Sequence, residues 1–441
     1  MSNPGTLGDT AQAAPRRSAS PAARRAAIAG GVGTLIEYYD FSVYGFLAVT
    51  IAPLFFPSGD PAAAMLATLA VFGSGYLVRP LGGVFFGWLG DRSGRRTALV
   101  ATVLGMGVCS ALLGLIPTYA TAGLLAPVLL VAVRLAGGFM AGGEIGGAAT
   151  YIAESAPPRR RGLFGSFTPM GSTSGFAVAA AVTGVVTGLT SGDQMASWGW
   201  RIPFLLCIPL ALLSLYARVK LDDTPEFAAM TDQAEAVRNP LLGVVRERPV
   251  SVLRVIGLAI ATNGSGYIGL TYMSVYLIND LKFDADAVYW LSALVIVLAC
   301  LTMPVVGMLT DRFGRRPVLV AGLIGYVLLS YPLLAIMGTT SALVLVGAAY
   351  FVFMALNAVL QVPAFPMFTE LFPRRIRYTG VALGFNIGTI IAGGTAPYIA
   401  AQLVHLTGNE QTPALWVIGV SAVGLLSLLG LRETSNQRLP V

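Results

Sequence analysis

Charge, histidine, lysine and cysteine are all scarce in this 441-residue chain, and each shortage closes off a class of protein. Charged residues make up 11% and hydrophobic residues 55%, against roughly 25% charged in a soluble domain. A water-soluble globule is excluded, and an integral membrane protein is implied. The net charge of +7 is no sign of nucleic acid, because the basic residues sit in short loops between apolar stretches and form no stripe on a soluble face. The one histidine, His405, falls at the outer end of an apolar stretch, so histidine cannot relay protons through the core. Cys109, Cys207 and Cys300 all lie inside apolar stretches and read as packing residues, with neither a disulfide framework nor metal-ligand spacing. Only two lysines occur, Lys220 and Lys282, and there is no Gly-x-x-x-x-Gly-Lys-Ser/Thr loop, which excludes ATP as a partner. A Gly-x-Ser-x-Gly elbow and a soluble signalling domain are missing too, so neither an enzyme nor a sensor is expected, and no metal or cofactor.

Apolar runs are what the chain does have. Twelve can be read, near 27–55, 63–89, 97–117, 121–150, 163–189, 200–218, 250–278, 287–309, 317–337, 341–369, 378–404 and 412–431. Each is long enough to cross about 30 Å of hydrocarbon as a helix. Twenty-four of the 28 Lys and Arg fall in segments on one side of these spans. Arg201 and Lys282 fall on the other side, and Arg79 and Arg134 inside spans. Such asymmetry places both termini in the cytoplasm. The expected fold is an all-α integral membrane protein of twelve transmembrane helices in two pseudo-symmetric six-helix bundles, residues 26–219 and 250–432. The polar stretch 220–249 is read as a cytoplasmic linker, 1–25 as a disordered cytoplasmic tail with no cleavable signal, and 433–441 as a second tail.

The two halves share a duplicated decapeptide, Gly87-Trp-Leu-Gly-Asp-Arg-Ser-Gly-Arg-Arg96 and Gly307-Met-Leu-Thr-Asp-Arg-Phe-Gly-Arg-Arg316, set 220 residues apart. Repeats of this kind build many membrane transporters. A fainter echo follows the fourth and tenth spans, where Glu154 precedes Arg161 and Glu370 precedes Arg377. Positive residues in such loops need only topology to explain them. The acids are not required by topology, so Asp91, Arg92, Arg95, Glu154 and Arg161, with Asp311, Arg312, Arg315, Glu370 and Arg377, are read as a cytoplasmic gate.

Five charges lie within spans, where an ionised group costs about 2.5–3.5 kcal/mol at the bilayer centre. Glu37 and Asp40 share one face of the first helix with Tyr44, and Arg79, Arg134 and Glu144 occupy the second and fourth. A solute carboxylate entering this group adds negative charge, and protonating one acid relieves it, which is a route to proton coupling. Asp40, Glu37, Arg134 and Glu144 are therefore the candidate proton-coupling residues, and Arg79 and Tyr44 candidate substrate contacts. The second half offers neutral groups at mid-span: Asn263, Tyr267, Asn357, Gln361 and Asn386. They are candidate substrate contacts, with inter-helix hydrogen bonds as the competing reading. Gly138, Gly142 and Gly146 recur every fourth residue and read as a surface for close helix packing.

Taken together, the paired decapeptides, the twelve spans and the central linker resemble the major facilitator superfamily. Four further segments resemble its metabolite:proton symporter branch: Ile36-Glu-Tyr-Tyr-Asp-Phe41, Arg79-Pro-Leu-Gly-Gly83, Gly142-Gly-Glu-Ile-Gly-Gly147 and Trp198-Gly-Trp-Arg-Ile-Pro-Phe204. Tyr38 and Ile145 stand where tryptophan is usual. The resemblance implies a monomer in the bacterial inner membrane that imports a small metabolite, an organic acid or a zwitterion, with protons by alternating access. It implies proton coupling at Asp40 and Arg134, and gating at Asp91 and Asp311. Efflux by antiport is the alternative; its fifth-span Gly-Pro signature is missing from Gly165-Ser-Phe-Thr-Pro-Met-Gly-Ser-Thr-Ser-Gly175.

Overall fold

The computed structural model describes residues 34–35, 38–93, 95–142, 156–219, 244, 246–373 and 376–435. Glu37, Glu144, Gly146 and Glu154 lie outside the described residues, as do the side chains of Asp91, Arg92 and Arg95. The described chain is helical, with no strand among the described residues. Among the described residues seven helices are long and apolar enough to cross a bilayer by themselves, or eight with a pair bent by 65° taken as one span.

In chain order, α1 is that bent pair, Tyr38–Phe46 with Ala48–Phe55. Next come α2 (Pro61–Leu77 running on as Arg79–Ser93), α3 (Arg95–Leu115) and α4 (Leu125–Ala141). They are followed by α5 (Arg161–Leu189) and α6 (Arg201–Leu205 with Cys207–Val219). The second half holds α7 (Pro249–Tyr267, extended by turns to Asp280) and α8 (Ala285–Phe313). It ends with α9 (Arg315–Thr339), α10 (Leu343–Glu370), α11 (Thr379–Thr407) and α12 (Pro413–Ser427).

Local chemistry sets the ends. Asp60 accepts from the Ala62 N–H at 2.9 Å to start α2, with Pro61 in the first turn. Asp284 does the same for α8 through the Ala287 N–H at 3.0 Å. Arg201 donates to the carbonyls of Gly114 and Ile116 at 2.8 and 2.9 Å, so the Trp-Gly-Trp-Arg segment caps the carboxyl end of α3. Leu81, Val84, Leu115, Leu189, Leu253, Leu301 and Val344 stay exposed, the lipid-facing surface that a membrane protein presents.

Within the first half α2 packs on α4, and α3 on α4 and α6; within the second, α7 packs on α11 and α12, α9 on α10 and α12, and α8 on α10. Across the halves α5 runs along α8, and α2 meets α11. The α2–α4 contact is backbone on backbone: a Cβ on Gly138 would stand 1.9 Å from the Gly75 carbonyl oxygen, and one on Gly142 1.9 Å from that of Arg79. The four-residue glycine period thus packs helices at Gly138 and Gly142, and it draws Arg79 up against the arginine helix. Wider π-helical turns interrupt α7 at Ile268–Tyr272 and Tyr276–Asp280 and α11 at Thr389–Gly393. Such turns recur at functional positions, and these two helices face the centre of the molecule.

Candidate functional site

Three charged side chains meet deep in the first half. Asp40 on α1, Arg79 on α2 and Arg134 on α4 are 6%, 1% and 2% exposed. The ring of Phe41, the residue after Asp40, has its centroid 4.2 Å from the guanidinium carbon of Arg79 and 4.6 Å from that of Arg134. Arg79 also stacks on Tyr76 at 4.5 Å, and Arg134 on Tyr44 and Phe72 at 4.7 and 5.5 Å. Two cations thus share one aromatic ring, each stabilised by its quadrupole. Asp40 lies within electrostatic range of both, yet it and Arg134 form no ion pair within 4.0 Å. The Arg134 Nε and Nη2 are buried with no hydrogen-bond partner among the described residues. Tyr44 contributes its ring, while its hydroxyl donates to the Thr68 carbonyl at 3.2 Å.

Of the neutral candidates of the second half, Tyr267 meets this cluster. Tyr76 donates to the Tyr267 hydroxyl at 2.7 Å, a hydrogen bond from one half to the other. Around Tyr267 stand the rings of Tyr76, Phe176 and Phe72, at 5.5, 5.9 and 6.1 Å between centroids. A Cβ on Gly266 would stand 3.0 Å from Asn357 Nδ2 and 3.1 Å from Gln361 Nε2, so α10 brings both amides against α7. Asn357 is fully buried, and neither of its amide atoms has a hydrogen-bond partner among the described residues. Asn386 keeps its buried Oδ1 unpartnered in the same sense, whereas Asn263 donates to its own helix at the Ala259 carbonyl, 2.9 Å away. Sequence reasoning passed over Phe41, Phe72, Tyr76 and Phe176, because an aromatic residue in an apolar span carries no mark of function. The two arginines below them were the available signal.

A second cluster closes one end of the interface, the end expected to be cytoplasmic. Asp311, at the foot of α8, accepts from the Gly162 and Leu163 N–H groups at 2.7 and 2.9 Å. A carboxylate of one half therefore caps the first turn of α5 in the other, where unpaired N–H groups and the helix dipole favour negative charge. Arg315 pairs with Asp311 at 3.1 Å and Glu370 at 3.5 Å, and Arg161 reaches Glu370 at 3.8 Å. Arg377 is buried and donates to the Thr369 and Phe372 carbonyls. Arg312 stands apart, exposed over the Phe313 ring at 5.2 Å.

Glu433, just beyond α12, joins this cluster and was not foreseen as a gate residue. It accepts from the Arg315 and Arg316 N–H groups at 2.8 and 3.0 Å, which caps α9, and its neighbour Thr434 donates to Glu370 at 2.6 Å. Gly314 makes room for it: φ is 102°, and a Cβ there would stand 2.7 Å from the Glu433 carboxyl carbon. Burial works against the Glu433 charge, but the N–H groups of Arg315, Ser435 and Arg316 outweigh it and hold the carboxyl below its ordinary range. At the opposite end Tyr289 of α8 donates to the Phe46 carbonyl of α1 at 3.0 Å, and a Cβ on Gly45 would press on Thr271 at 2.5 Å. The halves touch on both sides of the Tyr76–Tyr267 layer.

Two six-helix halves, an ion-locked interface and a central polar and aromatic cluster define a membrane solute transporter of the major facilitator fold. The chain belongs to the sugar (and other) transporter family, whose model matches residues 26–249 and 239–440. It is 36% identical over 425 residues to the proline/betaine transporter of Escherichia coli strain K12, covering 94% of this chain and 85% of that one. It is 33% identical over 418 residues to the shikimate transporter of the same strain, covering 94% and 95%. Among solved structures, the xylose transporter of E. coli in a partially occluded inward-open conformation aligns with a TM-score of 0.73 at 21% identity, over 95% of this chain and 99% of that one. That likeness concerns the fold.

Proposed function

We propose that the protein imports a small zwitterionic metabolite by proton symport, through alternating access, across the bacterial inner membrane with both termini in the cytoplasm. The observation that carries this reading is the Arg79–Phe41–Arg134 stack beside a buried Asp40 that is not ion-paired to Arg134. Among the described residues two cations face one carboxylate here. A solute carboxylate entering beside these guanidiniums adds negative charge, and a proton on Asp40 leaves Arg134 free to share it. The rings of Phe72, Phe176 and Tyr267 offer faces to an ammonium group, and Asn263, Asn357, Gln361 and Asn386 offer neutral hydrogen bonds. Proline, betaine and shikimate, the solutes in the relatives' names, all carry a carboxylate, in support of the arginine contact. A simple organic anion is the second reading, favoured by the presence of two guanidiniums.

Release then requires the Asp311 contact with α5 to break, with Arg161 parting from Glu370 as the end expected to be cytoplasmic opens. Asp91, Arg92, Arg95 and Glu154 are proposed as the matching lock of the first half, and Glu37 and Glu144 as further acids of the coupling site. Proteoliposomes offered labelled zwitterions, dicarboxylates and shikimate-like acids, with and without an imposed proton gradient, test the reading. Gradient-driven accumulation of a zwitterion is expected, and Arg79→Gln is expected to abolish it. Uptake indifferent to the gradient refutes symport, and full uptake by Arg79→Gln refutes the carboxylate contact.

A further inference from the structure

We propose that Cys207 is a positioning residue for Asp40: its thiol holds the carboxylate toward α6, away from Arg134, and thereby sets the acidity at which the transporter takes up its proton. The inference rests on the reading of Asp40 as the proton site. The Cys207 Sγ lies 3.9 Å from Asp40 Oδ1, and this is the one hydrogen bond made by the Asp40 carboxyl among the described residues. Both side chains are buried, at 5% and 6% exposure. A carboxylate taken out of water needs donors, and here the donor at hand is a thiol instead of a guanidinium.

The backbone next to the thiol is tied to α1. Tyr39, the residue before Asp40, donates to the Pro203 carbonyl of α6 at 2.9 Å, which ties α1 to α6 immediately beside the contact. Helix α6 is interrupted at Leu206, so Cys207 opens its second segment. The groups facing this point are Tyr39 on α1, Arg79 on α2, Cys109 and Ser110 on α3 and Arg134 on α4.

An S–H group donates weakly to a carboxylate and accepts more weakly still from a protonated carboxyl. Its contact therefore favours the ionised form of Asp40, and losing the donor makes the site hold its proton more tightly. A cysteine in an apolar span reads as packing from sequence alone; only the arrival of α6 against α1 gives it this partner.

The test is the pH dependence of zwitterion uptake by proteoliposomes bearing the full chain, for wild type, Cys207→Ser and Cys207→Val. Cys207→Val fills the volume without a donor, and its half-maximal pH is expected to rise by about half to one pH unit, the scale of one modest hydrogen bond. Cys207→Ser keeps a donor and is expected to stay at or below the wild-type midpoint. The solute KM at saturating acidity is expected to be unchanged in both. A purely structural role lowers the maximal rate and leaves the midpoint alone, so a wild-type midpoint in Cys207→Val overturns the proposal, as does an equal rise in Cys207→Ser. Asp40→Asn separates the two levels: if it still accumulates solute against a gradient, the proton-site reading fails along with the role given to Cys207.

Discussion

Replacing Asp311 by asparagine keeps the size of the side chain and removes the charge from the contact that joins the halves. The native carboxylate accepts from Gly162 and Leu163 at 2.7 and 2.9 Å and pairs with Arg315 at 3.1 Å. Hydrogen bonds to a charged group contribute about 1.5–3 kcal/mol each, and neutral ones about 0.5–1.5. An amide can accept from one of the two N–H groups, but it turns its own NH2 toward the other, and it no longer balances the fully buried Arg315. The closed conformer should therefore lose about 2–4 kcal/mol relative to one opened at this end. At a factor of ten per 1.4 kcal/mol, the population ratio shifts by about 30- to 700-fold. Spin labels at Arg160 and Phe313, both exposed and on opposite halves of the closure, report the separation by double electron–electron resonance. Wild type should show one short distance, and Asp311→Asn a dominant longer one. An unchanged distribution in the variant would refute the claim that this cap holds the end shut.

Two further outcomes follow from the packing and from the tail. Gly142→Ala forces a Cβ to 1.9 Å from the Arg79 carbonyl oxygen, whereas Gly419→Ala meets nothing within 4 Å. The first should lower the melting temperature in detergent, overpacking costing about 1–3 kcal/mol or more, and the second should leave it unchanged; equal melting temperatures would contradict the backbone contact. Because Glu433 is held below the ordinary carboxylate range, its contribution to stability is present above the value for an unfolded glutamate, about 4.3, and is lost as pH falls through the lower folded value. Glu433→Gln should thus narrow the stability gap to wild type as melts are moved from pH 7 toward acid, and a gap constant with pH would show that the charge is not what matters.

Legibility differed by element. The spans of α8, α9 and α10 could be bounded to within a few residues, since long apolar runs between charged turns leave little choice in a membrane. Arg79 and Arg134 were visible because a charge in such a run needs a reason. The rings that flank them were not, since Phe41 and Phe72 look like any other lipid-compatible side chain. Glu433 was hidden for the opposite reason: an acid in a polar tail is ordinary until the tail folds back onto α9.

What the sequence by itself determined is the membrane class, the duplication and the residues too costly to bury without purpose, because these follow from composition, period and the energetics of charge in hydrocarbon. The tertiary structure alone decided partnership. Asp40 faces a thiol as well as arginines, Asp311 caps a helix of the opposite half, and Tyr76 meets Tyr267 across the interface. Each pair is separated by well over a hundred residues, apart from the arginines nearer Asp40, and one-dimensional spacing carries no information about contacts that depend on how two helix bundles close on each other.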